Sequence, residues 1–257
     1  RLLHGNGSGG MADYFNHAIR QDVIVLLHSS PDDGKTMFSI DQFNRQYDTE
    51  CRDIVIDGHR YRFFVPKSID RFIDPEDPLQ DFPLWAKIWP ASVVLAGHLS
   101  RLPVVPGQRI LEIGSGLGVV GIIAACSGHD VTLTDANPHA LEFARANAHV
   151  NGCTQLTVQR LDWQDPQKEG EFDTIIGSEV VYKDQDIDRL LRLFVTCLKP
   201  QGHIILVEEM RRTLDPFFRH LDLHYRISIK KKVLRAADEE SLVLLIQMHP
   251  RIDRLNK

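Results

Sequence analysis

From residue 109 onward, short apolar runs alternate with stretches in which apolar residues recur at helical spacing. Short runs bounded by turn residues are typical of buried strands, whereas a repeat of about 3.6 residues is typical of helices. We therefore predict strands at 109–113, 131–134, 156–159, 172–177 and 203–207, and helices at 119–126, 138–150 and 185–198. Strands that alternate with helices predict a parallel sheet covered by helices on both faces.

The C-terminal part of the chain departs from this alternation. Two strand-like runs, 225–234 and 241–248, are joined by residues 235–240, which leave no room for a crossover helix. Such strands must pair antiparallel. The predicted fold is an α/β fold: a doubly wound, mostly parallel seven-stranded sheet that ends in an antiparallel hairpin.

The N-terminal part has a different pattern. Residues 11–46 show mixed helical spacing broken by a turn cluster at 29–34, which predicts two short helices. Asp57-Gly58 lies between two apolar runs and suits a tight hairpin turn. We therefore divide the chain into a flexible leader at 1–10, either native or added, a helical and β-hairpin extension at 11–80, and a main domain at 81–257.

Composition narrows the class of protein. The 257 residues carry 30 Lys and Arg against 35 Asp and Glu, a net charge of −5 that gives no reason to expect nucleic acid as a partner. The four cysteines form no CxxC pair, and no apolar run approaches the roughly 18 residues of a membrane span. We expect a cytoplasmic protein without a metal centre or a membrane partner.

A glycine-rich loop follows the first strand of the main domain and opens the next helix. Gly114, Gly116 and Gly118 let the backbone turn tightly and approach a ligand closely. A dinucleotide fingerprint that began at Gly114 would need glycine at position 119, where Val119 stands. The spacing instead favours an E-x-G-x-G-x-G loop for S-adenosylmethionine, in which Glu112 accepts a hydrogen bond from the ligand's ammonium group.

Acidic residues end the following strands at the same edge of the sheet. Asp135 lies 135 − 118 = 17 positions beyond Gly118, close to the roughly 20-residue offset at which a carboxylate meets a ribose. Its alternative role as a helix cap is weaker, because Asn137 occupies the better capping position. Asp162-Trp163 offers a carboxylate and an indole to an adenine ring. Glu208 and Glu209 also reach this edge, where two alternatives stay open: they face a basic substrate, or they are solvated carboxylates without a role in the site.

These residues and their order resemble a known family. Five segments look like the motifs of class I, seven-stranded S-adenosylmethionine methyltransferases. In chain order they are Trp89-Pro90-Ala91-Ser92, the loop at 111–118, Thr134-Asp135, residues 161–163 and Ser178-Glu179-Val180-Val181-Tyr182. Within that class the sequence is most similar to the methyltransferase-16-like group, which includes many protein-lysine methyltransferases. The resemblance covers about residues 54–248.

The resemblance implies roles for individual positions. It implies cofactor contacts from Trp89, Glu112, Gly114, Gly116, Gly118, Asp135, Asp162, Trp163 and Ser178. Glu179 and Tyr182 begin and end the family's [D/E]-x-x-[Y/F] signature, where the acceptor meets the methyl group, so they are the candidate catalytic residues. The segment lacks the two prolines of the [N/D]-P-P-[Y/F] signature, which argues against adenine or glutamine as acceptor.

Three functions are compatible with these observations. The first is an S-adenosylmethionine-dependent methyltransferase that modifies lysine in a protein substrate. The second is a methyltransferase for a small-molecule amine, and the third is a non-catalytic module that binds S-adenosylmethionine and a partner. The resemblance favours the first.

Overall fold

The computed structural model describes residues 38–78, 82–153, 156–166, 172–181, 186–210, 214–236 and 239–251. The helices in these residues are α1 (Ile40–Gln46), α2 (Pro90–Leu99), α3 (Val119–Cys126), α4 (Pro138–Val150), α5 (Ile187–Cys197) and α6 (Leu214–Leu221). The strands are β1 (Thr49–Ile56), β2 (His59–Pro66), β3 (Arg109–Glu112), β4 (Asp130–Asp135), β5 (Thr157–Arg160), β6 (Phe172–Ser178), β7 (Leu198–Glu209), β8 (Tyr225–Ala236) and β9 (Glu239–Pro250). None of the helices found in these ranges is long and apolar enough to cross a membrane.

The main sheet has seven strands in the order β5-β4-β3-β6-β7-β9-β8. Strands β3 to β7 are parallel, and β9 lies antiparallel between β7 and β8. The predicted α/β fold is confirmed. Successive strands run outward from β3 in both directions, toward β5 on one side and toward β7 on the other. This reversal opens a crevice at the carboxyl edge of the sheet, where doubly wound folds bind their ligands.

The prediction for the start of β7 was wrong. The strand predicted at 203–207 starts five residues earlier, because α5 ends at Cys197 and β7 begins at once with Leu198. The register shifts between the pairs Phe172–Leu198 and Thr174–His203, so the extra residues form a bulge within the strand. Gly202 passes so close to β6 that a Cβ atom there would lie 2.9 Å from the carbonyl oxygen of Asp173.

The predicted N-terminal hairpin is also confirmed. Strands β1 and β2 pair antiparallel, and Asp57 and Gly58 form the turn with φ angles of 49° and 82°. Positive φ at both positions is the geometry of a two-residue type I′ turn. Of the two helices predicted in 11–46, α1 lies within the described residues, and the stretch 11–37 lies outside them.

The outer edge of β2 is paired with side chains of α4. The Asn147 amide accepts from the Phe64 N–H at 2.6 Å and donates to the Phe64 carbonyl at 3.2 Å. The Asn151 amide makes the same pair of bonds to Arg62, at 2.9 and 2.7 Å. Asn147 and Asn151 are four residues apart, a rise of about 6 Å along a helix, and Arg62 and Phe64 are two residues apart, about 6.7 Å along a strand. The two amides are therefore spaced to match alternate residues of β2. They fix the hairpin against α4, and its apolar face joins the core beneath α2, α3 and α4.

Candidate active site

The glycine loop lies at the carboxyl end of β3, in the crevice of the sheet. Gly114, Gly116 and Gly118 have φ angles of 60°, 53° and 80°, a region that L side chains avoid. A Cβ atom on Gly116 would lie 3.1 Å from the backbone oxygen of Trp85, whose one-turn 3₁₀ helix, Leu84–Ala86, packs against the loop. The loop therefore needs glycine both for its conformation and for this contact.

Glu112 is the last residue of β3 and lies beneath the loop. Its side chain is 2% exposed, and Oε2 accepts a hydrogen bond of 2.8 Å from the Gly121 N–H in the first turns of α3. Burial raises the pKa of Glu112 well above its ordinary value. A Cβ on Gly121 would lie 2.4 Å from Oε2, so any larger residue there would displace the Glu112 carboxylate. Glu112 thus ties β3 to α3, and its predicted bond to a ligand ammonium stays a prediction.

Asp135 ends β4 beside the loop. Its Oδ2 accepts from the Gly116 N–H and its Oδ1 from the Asn137 N–H, both at 2.9 Å. The Ala136 N–H also interacts with this half-buried carboxylate, so of its roughly four acceptor positions one remains for a further donor. Burial raises the pKa of Asp135. As predicted, Asn137 caps α4: its side chain accepts from the N–H groups of His139 and Ala140.

Three of the predicted motifs meet at Gly114. A Cβ atom on Gly114 would lie 3.2 Å from Cζ2 of Trp163 and 3.3 Å from Cγ1 of Val180. Asp162 Oδ1 accepts from the Gln164 N–H at 2.9 Å, which makes a local turn around Trp163. The structure therefore brings the loop after β3, the turn after β5 and the segment after β6 into contact.

The two tryptophans before α2 have different surroundings. Trp89 caps the start of α2, donates from Nε1 to the Leu84 carbonyl at 2.9 Å, and has the Lys87 ammonium 4.8 Å from its ring centroid. Trp85 places its ring against Phe72 and Phe143, with centroid separations of 4.9 and 5.4 Å. Trp89 thus braces the Leu84–Ala86 turn, while the ring of Trp85 belongs to the core.

The segment after β6 carries the candidate catalytic carboxylate. Ser178 ends the strand opposite Val207, and Glu179 follows in the left-handed region with φ of 55°. The Glu179 N–H donates to the Val207 carbonyl at 3.0 Å, and Glu179 Oε1 accepts from the Glu209 N–H at 2.8 Å. Tyr182 lies outside the described residues.

Two features of this site were not predicted. The two alternatives for Glu208 were a contact with a basic substrate and a solvated carboxylate, but it is 2% exposed and its carboxylate accepts from the N–H groups of Val180 and Val181 at 2.9 and 3.4 Å. The contact between the Trp85 backbone and Gly116 was also missed, since no local sequence signal marks either long-range contact. Side chains at the end of a strand can point toward solvent or back into the protein, and the sequence of β7 does not distinguish the two.

The residues present fit S-adenosylmethionine. Within the described residues, the Ser115 Oγ in the glycine loop is buried and has no hydrogen-bond partner. The loop contains left-handed glycines in close contact with Trp85 and Trp163, and the N-terminus of α3 presents N–H groups of the kind that bind a carboxylate. Asp135 adds a carboxylate that can accept from a hydroxyl group. Together these groups match a ligand with both a charged amino-acid part and a ribose.

Comparisons with known proteins agree with this geometry. A family model described as "Lysine methyltransferase" matches residues 80–224, more than half of the chain. The zebrafish Protein N-lysine methyltransferase METTL21A is 34% identical over 154 residues, which cover 57% of this chain and 70% of that protein. The mouse EEF1A lysine methyltransferase 3 is 32% identical over 155 residues, which cover 57% of this chain and 66% of that protein.

Solved structures share the fold at lower identity. The structure of Pyrococcus horikoshii TYW2 in complex with MeSAdo superposes with a TM-score of 0.52 at 17% identity, over 77% of this chain and 70% of that one. The residues matched by the family model include the glycine loop, Asp135, Trp163, Glu179 and Glu208. The chain belongs to the lysine methyltransferase family of S-adenosylmethionine-dependent enzymes.

Proposed function

We propose that this chain transfers a methyl group from S-adenosylmethionine to the side-chain amine of lysine in another protein. The observation that carries the proposal is the packing at Gly114, where Val180, next to Glu179, lies against the glycine loop. The segment that holds the acceptor therefore adjoins the loop that holds the methyl donor. Methyl transfer is an in-line displacement that depends on proximity and alignment, which such an adjacency supplies.

The cofactor half of the site divides its work among several groups. When bound, S-adenosylmethionine supplies an electrophilic methyl carbon on a sulfonium. The loop from Gly114 to Gly118 and the Ser115 hydroxyl hold the methionine part, and the Asp135 carboxylate accepts from a ribose hydroxyl. Asp162 and Trp163 contact the adenine, with Ser178 at the adjoining strand end and Trp89 over the outer side. Glu112 acts from beneath by fixing the loop to α3.

Glu179 positions the acceptor amine. Its carboxylate is oriented by the bond from the Glu209 N–H, and a carboxylate can accept hydrogen bonds from an ammonium or amine N–H. A lysine ammonium, with an unperturbed pKa of about 10.4, must lose a proton before its nitrogen can attack. That proton passes to water or to the Glu179 carboxylate. Tyr182 completes the signature, and we assign to its aromatic ring the stabilisation of the cationic sulfonium or amine.

The family model and two of the relatives support lysine as the acceptor class. The zebrafish and mouse relatives are named for lysine methylation, one of them in EEF1A. A lysine in a protein is therefore the acceptor that we assign to this chain, in preference to a free amine.

The test is methyl transfer from radiolabelled S-adenosylmethionine in an extract. We expect label in protein, at a lysine identified by mass spectrometry, with wild-type enzyme and not with Glu179→Gln. Glu50→Gln is the matched control, because Glu50 is a partly exposed glutamate of β1 that forms an ion pair with Arg52, far along the chain from the proposed site. Label confined to small molecules, or protein label at residues other than lysine, would contradict the proposal.

A further inference from the structure

Glu208 is a buried carboxylate at the acceptor end of the sheet. It is the second-last residue of β7, and its side chain is 2% exposed. Removing a carboxylate from water is costly unless it finds hydrogen-bond donors. Glu208 has such donors in two successive backbone groups, the N–H of Val180 at 2.9 Å and that of Val181 at 3.4 Å.

The backbone that binds Glu208 has an anion-binding form. Glu179 is left-handed at φ of 55°, and the N–H groups of the two following residues converge on the same carboxylate. Successive N–H groups beside a left-handed residue form a concave site for an anion. Here the anion is supplied by the neighbouring strand of the same chain.

The two strand ends hold each other through their carboxylates. Glu208, from β7, binds the N–H groups after β6, and Glu179, after β6, binds the N–H of Glu209 at the end of β7. The Glu179 N–H also donates to Val207. The conformation of Glu179 is therefore set by contacts on both sides of its peptide.

We propose that Glu208 is a positioning residue for methyl transfer: its carboxylate fixes the backbone at 180–181, and with it the carboxylate of Glu179. Glu208 is too buried to meet a protein substrate itself. The proposal rests on the proposed function, since it assigns Glu208 an effect on the acceptor amine through Glu179. It predicts an effect on turnover with cofactor binding intact.

The first experiment measures kinetics in Glu208→Ala and Glu208→Gln. A misplacement of about 1 Å in a catalytic group can cost about 10²-fold in rate, so we expect Glu208→Ala to lower kcat by about 10²-fold. The affinity for S-adenosylmethionine, measured by calorimetry, should stay within about threefold, because the glycine loop and Asp135, which are proposed to hold its methionine part and ribose, lie on other elements. Glu208→Gln keeps one oxygen to accept from Val180 and should recover part of the lost kcat.

A matched control lies at the other end of β6. The Asp173 carboxylate also holds a backbone group, the Arg109 N–H at 2.9 Å, and it pairs with Lys199. Asp173→Asn should lower the melting temperature without changing kcat. If Asp173→Asn lowered kcat as much as Glu208→Ala does, or if Glu208→Ala kept full kcat, the positioning role would be excluded. A fall in S-adenosylmethionine affinity equal to the fall in kcat would place Glu208 in the cofactor site and also overturn the proposal.

A second measurement does not depend on turnover. Hydrogen exchange of the Val180 and Val181 amides should be faster in Glu208→Ala than in wild type, and unchanged in Asp173→Asn. Unchanged exchange in Glu208→Ala would refute the contact itself. If wild-type enzyme methylated no protein while Glu208→Ala accelerated exchange at 180–181, the proposed function would fail although the contact was real. The two failures are therefore distinguishable.

Discussion

The site has a cofactor half, formed by the glycine loop and Asp135, and an acceptor half, formed by the segment after β6. In both halves a carboxylate accepts hydrogen bonds from backbone N–H groups, but the left-handed backbone positions are occupied by different residue types. In the cofactor half, Glu112 and Asp135 accept from N–H groups 9 and 19 residues away, within the β3-α3-β4 unit. In the acceptor half, Glu208 and Glu179 accept from N–H groups 28 and 30 residues away, across the β6–β7 pair. The left-handed positions of the cofactor half are glycines, whereas the acceptor half places Glu179 in that region.

Because of this difference, the backbone of the cofactor loop is unstrained, whereas the backbone at Glu179 is strained. Glycine adopts positive φ without steric cost, while a residue with a Cβ pays about 1–2 kcal/mol there. The strain at Glu179 persists because Val207, Glu208 and Glu209 all hold the segment. The cofactor loop is thus formed by local sequence, and the acceptor segment depends on the pairing of two strands. Strain held in this manner is common at functional sites.

The largest effect is expected at Glu179. Glu179→Ala and Glu179→Gly should both lower kcat by about 10²–10³-fold, comparable to the loss of one orienting donor in other enzymes. Affinity for S-adenosylmethionine should be nearly unchanged. The two variants differ in strain: glycine at φ of 55° should leave the protein about 1 kcal/mol more stable than alanine does, or about 2–4 °C in melting temperature.

Steady-state kinetics and thermal unfolding of the pair check this prediction. Equal melting temperatures for the two variants would show that position 179 is not strained. Activity retained in Glu179→Gly would show that the carboxylate has no part in the mechanism and that only the backbone conformation at position 179 matters.

A smaller effect, on the other half, is expected at Asp135. Asp135→Ala should weaken S-adenosylmethionine binding by about 1.5–3 kcal/mol, the usual range for a hydrogen bond to a charged group. The kcat at saturating cofactor should change little, since Asp135 lies at the end of β4, away from the acceptor segment. Calorimetry measures the affinity, and Asp130→Asn, at the exposed start of the same strand, is the control. An unchanged affinity in Asp135→Ala would mean that Asp135 serves only the loop.

Most of the fold was predictable because its signals are local. The alternation of strands and helices gave the parallel sheet, and the short link before β9 gave the antiparallel hairpin. The bulge at 199–202 was missed because Pro200 and Gly202 are typical of a helix end as well as of an irregular strand. The close approach of Gly202 to Asp173 decides between the two, and it exists only in the folded sheet.

The same division applies to the site. The glycine loop and Asp135 could be located from spacing, because their partners lie within one β-α-β unit. Glu208 could not be assigned from the sequence, since its role depends on which N–H groups β6 places beside β7. Likewise, nothing near Asn147 and Asn151 in sequence indicates that their amides pair with β2.

The smallest effect is expected at Glu112, and it should depend on pH. Burial raises the pKa of Glu112 well above its ordinary value, so the folded protein binds this proton more tightly than the unfolded chain does. Its contribution to stability is therefore present at low pH and is lost as the pH rises from the ordinary carboxyl pKa toward the raised one. Glu112→Gln resembles the neutral acid in shape and can still accept from the Gly121 N–H, so it should cost little stability at pH 5 and lack this dependence.

Melting temperatures of wild type and Glu112→Gln between pH 5 and pH 8 test the sign, because other titrating groups contribute equally to both and cancel in the difference. The wild type should lose stability relative to the variant as the pH rises. The opposite slope would mean that the Glu112 carboxylate is stabilised as an anion by its position beneath the loop. In that case Glu112 would resemble Glu208, and the cofactor and acceptor halves would differ only in how their left-handed positions are formed.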